Sequence, residues 1–288
     1  MLALAENITG LDRAVELLEE VIIVNNASTE DYTPVKKFIA NHPSIPFKFI
    51  DSNENLGVAR GRNYAISLSS APFLIMLDDD AVMGNQDCLV NLYEEFNISR
   101  SDRETAIISF KVLYYENGEM QVNAFPHKNF SKNATKPHFE TYYYAGGAHA
   151  IKRDVFQHAG KYPEDFFYGM EEYDLSYRIL DAGYSIAYSN RVVMLHKESP
   201  LGRKTKKEKM AMLWLNKAKV AWRYLPRVYY YSTALMWSLE YLRKTGFDIG
   251  GWFGGWADVF KIPLTEKRRP ISRNTLDYLK KTEARLWY

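Results

Sequence analysis

The run Ala71-Pro72-Phe73-Leu74-Ile75-Met76-Leu77-Asp78-Asp79-Asp80 sets five apolar residues, Phe73 to Leu77, between a proline and three carboxylates. Such a run reads as a strand buried on both faces, the kind found in a mostly parallel sheet. Open α/β sheets bind their ligands at the carboxyl ends of the strands. Three adjacent acids repel one another, so a positive partner is expected beside them. A divalent cation holding a diphosphate meets that need. Mg²⁺ or Mn²⁺ takes hard oxygen ligands, keeps waters and shares substrate phosphates. The alternative for this stretch alone is a solvated acidic turn with Asp as a helix N-cap.

Upstream, residues 11–20 carry apolar side chains at helical spacing, and Val21 to Val24 forms a strand closed by turn formers from Asn25 to Glu30. A short helix from Val35 to Ala40 and a strand from Phe47 to Ile50 follow. A loop bearing Gly57, Arg60, Gly61 and Arg62 then leads into a helix from Tyr64 to Ser69. This alternation argues for a right-handed βαβ sheet, so three strand ends meet at one edge. Asn25 and Ser28 offer groups suited to a base and ribose. Arg60 and Arg62 offer charge-assisted bonds to a diphosphate, balanced by a cation at Asp78, Asp79 and Asp80. The spacing matches neither a Walker A loop nor a GxGxxG turn.

Downstream, residues 84–104 read as a helix and a charged loop, and Ala106 to Phe110 as a strand. Gly118 to Pro137 is polar and irregular, which predicts a mobile loop. Gly146 and Gly147 follow three tyrosines, marking either backbone brought close to a ligand or a β-bulge. Glu171, Glu172 and Asp174 crowd the first turn of a helix whose apolar face is Leu175, Ile179 and Leu180. The helix dipole favours acids there; equally, a partly apolar wall would raise a carboxylate pKa toward use as a general base. Consecutive residues on a helix point about 100° apart, so one glutamate is expected in the cleft and the other at a cap. A strand from Ile186 to Leu195 delivers His196 toward the acidic edge, as a metal ligand.

Taken in order, NNAST, NENLGVARGRN, LIMLDDDAV, YYAGGAHAIKRDVF, FFYGMEEYDLSYRILDAGY and VVMLHKES resemble the family 2 glycosyltransferases with a GT-A fold, nearest the bacterial rhamnosyltransferase-like members that build surface polysaccharides. The resemblance covers residues 1–200 firmly and the tail loosely. It implies Asp80 as metal ligand, Asp78 near the ribose or the metal's waters, and His196 completing the metal site. It further implies Arg62 at the nucleotide, Gly146 and Gly147 at the donor sugar, and Glu172 as catalytic base. Asn25 stands where the family usually has Asp; it keeps an acceptor oxygen and adds donors. The family also opens with an apolar strand, whereas only Met1 to Ala5 precedes Glu6 here. Either those five residues form a minimal strand or the chain lacks its true beginning.

The 288 residues suffice for a substantial core, and 47% apolar with 25% charged residues is a globular balance. A single cysteine, Cys88, excludes an internal disulfide framework and suits a reducing compartment. No export signal and no run of about 18 apolar residues is seen. Charge divides sharply: residues 200–288 carry a net +12 and the remainder −10, and all six tryptophans lie in the basic part. Two regions are therefore expected, a catalytic one over 1–200 and a helical one over 201–288, with helices from Lys206 to Tyr224 and Val228 to Lys244. A basic, aromatic tail suits an anionic membrane surface, with plain helix packing as the alternative; no nucleic-acid motif accompanies the charge. The expectation is a cytoplasmic, peripheral membrane enzyme, inverting and Mn²⁺- or Mg²⁺-dependent. It would move a sugar from dTDP-rhamnose or a UDP-sugar to a saccharide or polyprenyl-linked acceptor. A non-catalytic scaffold of a polysaccharide assembly is the other class.

Overall fold

The computed structural model describes residues 1–197 and 205–287. The expected domain boundary at residue 200, and the end of the VVMLHKES segment, lie outside the described residues. Strand β1 (Val21–Asn25) pairs in parallel with β2 (Phe47–Asp51), joined through helix α3 (Thr33–Ala40). Helix α4 (Gly57–Leu68) then leads to β3 (Phe73–Leu77), the strand that ends in the three aspartates. Further strands are β4 (Ala81–Met83), β5 (Thr105–Tyr114), β6 (His138–Thr141), β7 (Ala148–Lys152) and β8 (Ser185–His196). They form a sheet ordered β3-β7-β5-β8-β4, with β6 added on β8.

The α/β class is as expected, but the ladder is mixed rather than mostly parallel. Among the described residues only β1–β2 and β5–β8 are parallel pairs; β7 runs antiparallel to both of its neighbours. The deepest strand is β5, not β3. In β3 only Leu74 is fully buried, because among the described residues no ladder joins its free edge to β1. Side chains alternate between two layers, as a strand's period of two requires. Ile107, Ile151 and Ile186 face one core, and Ile108, Ala150 and Ala187 the other.

Met1 to Ala5 is not a minimal strand. Helix α1 (Leu2–Thr9) spaces Leu4, Ala5 and Ile8 on one face against the core. Asn7 locks it to β4 by bonding both the N–H (2.7 Å) and the C=O (3.1 Å) of Met83. The helix expected over 11–20 shrinks to α2 (Ala14–Leu17), since Arg13 before it is left-handed at φ 58° and Leu18 is already extended. Helix α5 (Cys88–Asn97) covers the other layer.

The segment from 118 to 137 is not a free loop either. It carries a 3₁₀ turn (Val122–Ala124) and helix α6 (Phe130–Asn133), pinned by buried Phe125 against Phe130 and Tyr188. Helices α7 (Val155–Ala159) and α8 (Glu171–Asp181) follow β7.

The described residues of the tail form four helices: α9 (Lys206–Tyr224), α10 (Arg227–Thr245), α11 (Ile249–Thr265) and α12 (Arg273–Lys281). A full capping box, Thr205 with Glu208, starts α9. Two of them, α11 and α12, were not expected; four glycines hide α11 from propensity. One of them, Gly255, lets Trp214 approach so closely that a Cβ there would collide with the indole. Trp214 and Trp222 are buried and Trp237, Trp252 and Trp256 lie against the same core, so packing accounts for five of the six tryptophans. That core is continuous with the layer between the sheet and α8. Arg223 of α9 bonds buried Asp174 of α8 at 2.9 Å and Glu266 at 2.7 Å, fastening the tail to the helix that carries both glutamates.

Candidate active site

The strand-end loops converge as the βαβ reading requires. Asn26, just after β1, accepts from the N–H of Leu56 (2.8 Å) and donates to the C=O of Gly57 (3.3 Å), fixing the start of α4. Arg60 and Arg62 lie on that helix rather than in a loop. Two residues apart, they point to opposite sides. Arg60 is exposed and pairs with Glu54 at 2.7 Å, away from the acids. Arg62 turns inward, 13% exposed, and reaches Glu172 (3.1 Å), Glu171 (3.4 Å) and Asp78 (3.7 Å).

Both glutamates therefore meet one guanidinium, where a cleft role for one and a capping role for the other was expected. The turn before α8 explains this. Gly169 (φ 78°) and Met170 (φ 74°) are both left-handed, an uncommon state for a bulky residue. The helix thus enters with its first two side chains both aimed at Arg62. Glu171 is the deeper, 3% exposed, and its Oε2 has no hydrogen-bond partner; Glu172 is 16% exposed. Gly146 lies directly on Glu172 and Gly147 on Asp78, so a Cβ on either would collide with a carboxylate oxygen. Both glycines are needed for close approach, and no bulge explains them.

Electrostatics follow from this crowding. Burial would lower the Arg62 pKa, but Glu172, Tyr162, Asp78 and Glu171 together raise it, so the charge is permanent. The Glu171 carboxyl is held well above the ordinary range, first by burial and then by Glu172, with Arg62 only partly offsetting this. Desolvation and Asp80 raise Asp78 against the pull of Arg62. Linkage gives a test. A carboxyl raised above its unfolded value of 4.5 binds a proton in the native state that the unfolded chain has lost. Its stability contribution is therefore intact below that value and falls as pH rises through the raised one. Glu171→Gln should gain on the natural chain between pH 5 and pH 8, by at most about 1.4 kcal/mol per pH unit. Urea midpoints at the two pH values measure this; a gap that does not change with pH contradicts it.

Asp80 and His196 are brought together at the other side of Asp78. Gln121 Oε1, which can only accept, takes the Nδ1–H of His196 at 3.0 Å. Nε2 then faces Asp80 Oδ1 at 3.2 Å, and a lone pair there would oppose a carboxylate oxygen unless a proton or cation lies between. Among the described residues no three His, Cys, Asp or Glu form a complete cage. Two protein ligands, with waters and substrate phosphate as the rest, is the pattern Mg²⁺ and Mn²⁺ accept, so the residues present fit such an ion.

Asn25 closes its own turn. Its Oδ1 accepts from the Ser28 N–H (3.0 Å), and its amide donates to Asp51 (2.9 Å), which Lys36 also holds at 2.9 Å. The Ser28 hydroxyl accepts from Glu30 N–H at 3.2 Å. The side chain of Asp79 is exposed, and its backbone C=O accepts from the Met1 amino group. Sequence reading missed several supports. Tyr162 stands under Arg62 and bonds buried His149 at 3.0 Å; burial and Arg62 push that imidazole down to about 3, so it stays neutral. Asn63 bonds both the N–H and C=O of Tyr162. His149 stood in plain view behind the paired glycines, but Tyr162 and Gln121 carry no local signal.

Comparison with known proteins bears on the family and the fold. A family profile described as Glycosyl transferase family 2 matches residues 3–160. The O-antigen chain rhamnosyltransferase WbaN of Salmonella anatum is 25% identical over 188 residues, 62% of this chain and 56% of that protein. This chain therefore spans little more than half of WbaN. An uncharacterized protein of Haemophilus influenzae is 27% identical over 150 residues, 51% of this chain and 77% of its own. The structure of GalNAc-T7 with UDP, GalNAc and Mn²⁺ matches with TM-score 0.60 over 98% of this chain and 55% of that one, at 13% identity. Mannosyltransferase PcManGT from Pyrobaculum calidifontis, with GDP-Man and Mn²⁺, gives 0.55 over 98% and 74%, at 18% identity. These likenesses show the fold, a GT-A arrangement of a central sheet flanked by helices. Glu171, Glu172 and His196 lie beyond the residues that the family profile matches. The profile covers more than half of the chain, which belongs to glycosyl transferase family 2.

Proposed function

We propose that the chain transfers a sugar, with inversion, from a nucleoside-diphosphate-sugar to a hydroxyl of a saccharide or lipid-linked acceptor during assembly of a surface polysaccharide. The observation that carries this is the convergence of Glu171, Glu172 and Asp78 on Arg62, beside the Asp80–His196 pair, at one strand edge. Resemblance to O-antigen rhamnosyltransferases favours dTDP-rhamnose among donors, with UDP-sugars next. Glu172, the more accessible glutamate, takes the proton of the acceptor hydroxyl as that oxygen attacks the anomeric carbon. Glu171 lies beneath and keeps Arg62 in place. Arg62 orients Glu172 and lies within reach of a donor phosphate through the same fork of donors. Asp80 and His196 would hold Mn²⁺ or Mg²⁺, with Asp78 beside its waters; a bound cation offsets charge growing on the departing diphosphate. The test is release of nucleoside diphosphate from a panel of nucleotide-sugars with Mn²⁺, repeated with chelator. One donor should be turned over, and only with metal. No turnover of any donor, with or without saccharide acceptors, would favour a scaffold.

The same reading places the enzyme on the inner face of the cytoplasmic membrane. No helix among the described residues is long and apolar enough to cross a bilayer. Instead Val228, Tyr231, Leu235 and Leu239 form an exposed stripe along α10, and Ile249, Phe253, Phe260 and Leu264 one along α11. These belong to the region of net +12 charge, which suits an anionic surface. Vesicles containing anionic lipid should float the protein, less so as salt rises. Leu235→Asp with Leu239→Asp should weaken flotation roughly tenfold or more, since each removes over 1 kcal/mol of apolar burial. Equal flotation with neutral and anionic vesicles contradicts a role for charge.

A further inference from the structure

Beneath Arg62 lies a buried polar network to which the transfer step gives no task. His149 of β7 is fully buried beside two tyrosines of the same core, Tyr144 and Tyr162. Its Nδ1 lies 3.0 Å from the C=O of Ala145, which can only accept, so Nδ1 carries the ring proton. Nε2 of the neutral ring then accepts the O–H of Tyr162 at 3.0 Å, and the Tyr162 oxygen takes the O–H of Tyr144 at 3.2 Å. Donation therefore runs one way, from Tyr144 to Ala145. Asn63 holds the Tyr162 backbone at both its N–H (3.0 Å) and its C=O (2.9 Å), which fastens the network to α4 one residue past Arg62. An apolar side chain would fill the place of His149 with no polar group to satisfy. The imidazole is there for its bonds.

Those bonds end on the turn that carries the paired glycines. The Ala145 C=O accepts the Ala148 N–H at 3.1 Å as well as the His149 proton, and the Ala145 N–H donates to buried Ser109 at 3.1 Å. Residues 145–148 are thus a β-turn with Gly146 and Gly147 at its centre. The C=O and N–H of one trans peptide point opposite ways. With the Ala145 C=O turned inward to His149, the N–H of Gly146 points out of the core. Among the described residues neither the Gly146 nor the Gly147 N–H has an acceptor, and these two glycines are the half-exposed members of the turn. Each lies beside a carboxylate, Gly146 on Glu172 and Gly147 on Asp78. An N–H donor next to a carboxylate acceptor fits a hydroxyl, which accepts from the one and donates to the other. A phosphate oxygen has no proton to give and fits only half of that pairing. We propose that His149, together with Tyr162, is a positioning residue that fixes this turn so that the N–H groups of Gly146 and Gly147 receive hydroxyls of the donor sugar. This rests on the glycosyltransferase reading above.

Calorimetric titration of the full chain with dTDP-rhamnose against dTDP, and with UDP-glucose against UDP, all with Mn²⁺, isolates the sugar's share of the affinity. Asparagine places an amide where Nδ1 lies, and glutamine places one near Nε2. His149→Asn should therefore keep the bond to Ala145 and the sugar's share, whereas His149→Gln should lose both. The expected loss is about tenfold in sugar-nucleotide affinity, the weight of one or two hydrogen bonds, with dTDP and UDP affinity unchanged. That unchanged affinity shows the variants to be folded. Tyr162→Phe, which keeps the ring under Arg62, should show a smaller loss of the same kind. In ¹⁵N-glycine-labelled protein the Gly146 and Gly147 amide resonances should move further with sugar nucleotide than with the nucleotide alone. A sugar share that persists in His149→Gln, or an equal loss in His149→Asn, overturns the positioning role. So do glycine resonances that the sugar does not move, and a fall in dTDP and UDP affinity as large as that of the sugar nucleotides. If neither dTDP nor UDP binds the natural chain, the glycosyltransferase reading fails and takes this role with it. Nucleotides that bind with no gain from either sugar fail the role alone.

Discussion

Glu172→Gln is expected to lower kcat by roughly 10²–10⁴-fold, the usual weight of a general base, while the donor KM barely moves. Glutamine keeps the shape and one acceptor oxygen toward Arg62, 3.1 Å from Glu172 Oε1, but cannot take up a proton. The donor is held by other groups, so a fall in kcat alone is the signature of an interaction made in the transition state. Glu171→Gln should cost far less turnover, because that residue is the buried one of the pair and touches Arg62 rather than the open cleft. Steady-state rates for the two variants decide between them. Near-normal turnover in Glu172→Gln, or a larger loss in Glu171→Gln, removes or reverses the assignment.

Asp80→Ala should abolish the metal-dependent part of nucleotide binding. In the proposed site Asp80 is one of two protein groups that would hold the ion, and losing an outer-shell partner of a metal ligand already costs about 10–100-fold in affinity. A directly ligating carboxylate should cost roughly 100-fold or more. Gln121→Ala, which frees the Nδ1–H of His196 without removing a ligand, should cost about tenfold. Titration of UDP, GDP and dTDP with and without Mn²⁺ measures both. Unchanged Mn²⁺-dependent affinity in Asp80→Ala sinks the metal assignment.

How far the sequence was legible depends on how local each feature is. Strand ends such as Asn25, Asp78 and His196 show directly, because an apolar run followed by polar residues is a short-range pattern. Arg62 and the paired glycines were legible for the same reason. What could not be read was orientation. That both glutamates turn to one arginine depends on the left-handed pair Gly169 and Met170, which no period of 3.6 reveals. That Arg60 leaves the site follows from Gly57 opening a helix where a loop was expected. Gln121 reaches His196 only because a polar segment is anchored by Phe125, a tertiary effect with no local trace. The tryptophans misled for a related reason. Composition placed them in a basic region and suggested an interface, whereas most fill the core between the tail and the catalytic layer.

The claim at the centre of this account is a single displacement in which Glu172 is the base and no protein group bonds to the sugar. The anomeric configuration of the first product formed from the accepted donor, read by proton NMR before mutarotation, tests it most directly. Inversion relative to the donor is the predicted result. Retention would contradict it, since retention requires either two displacements or attack from the leaving-group face.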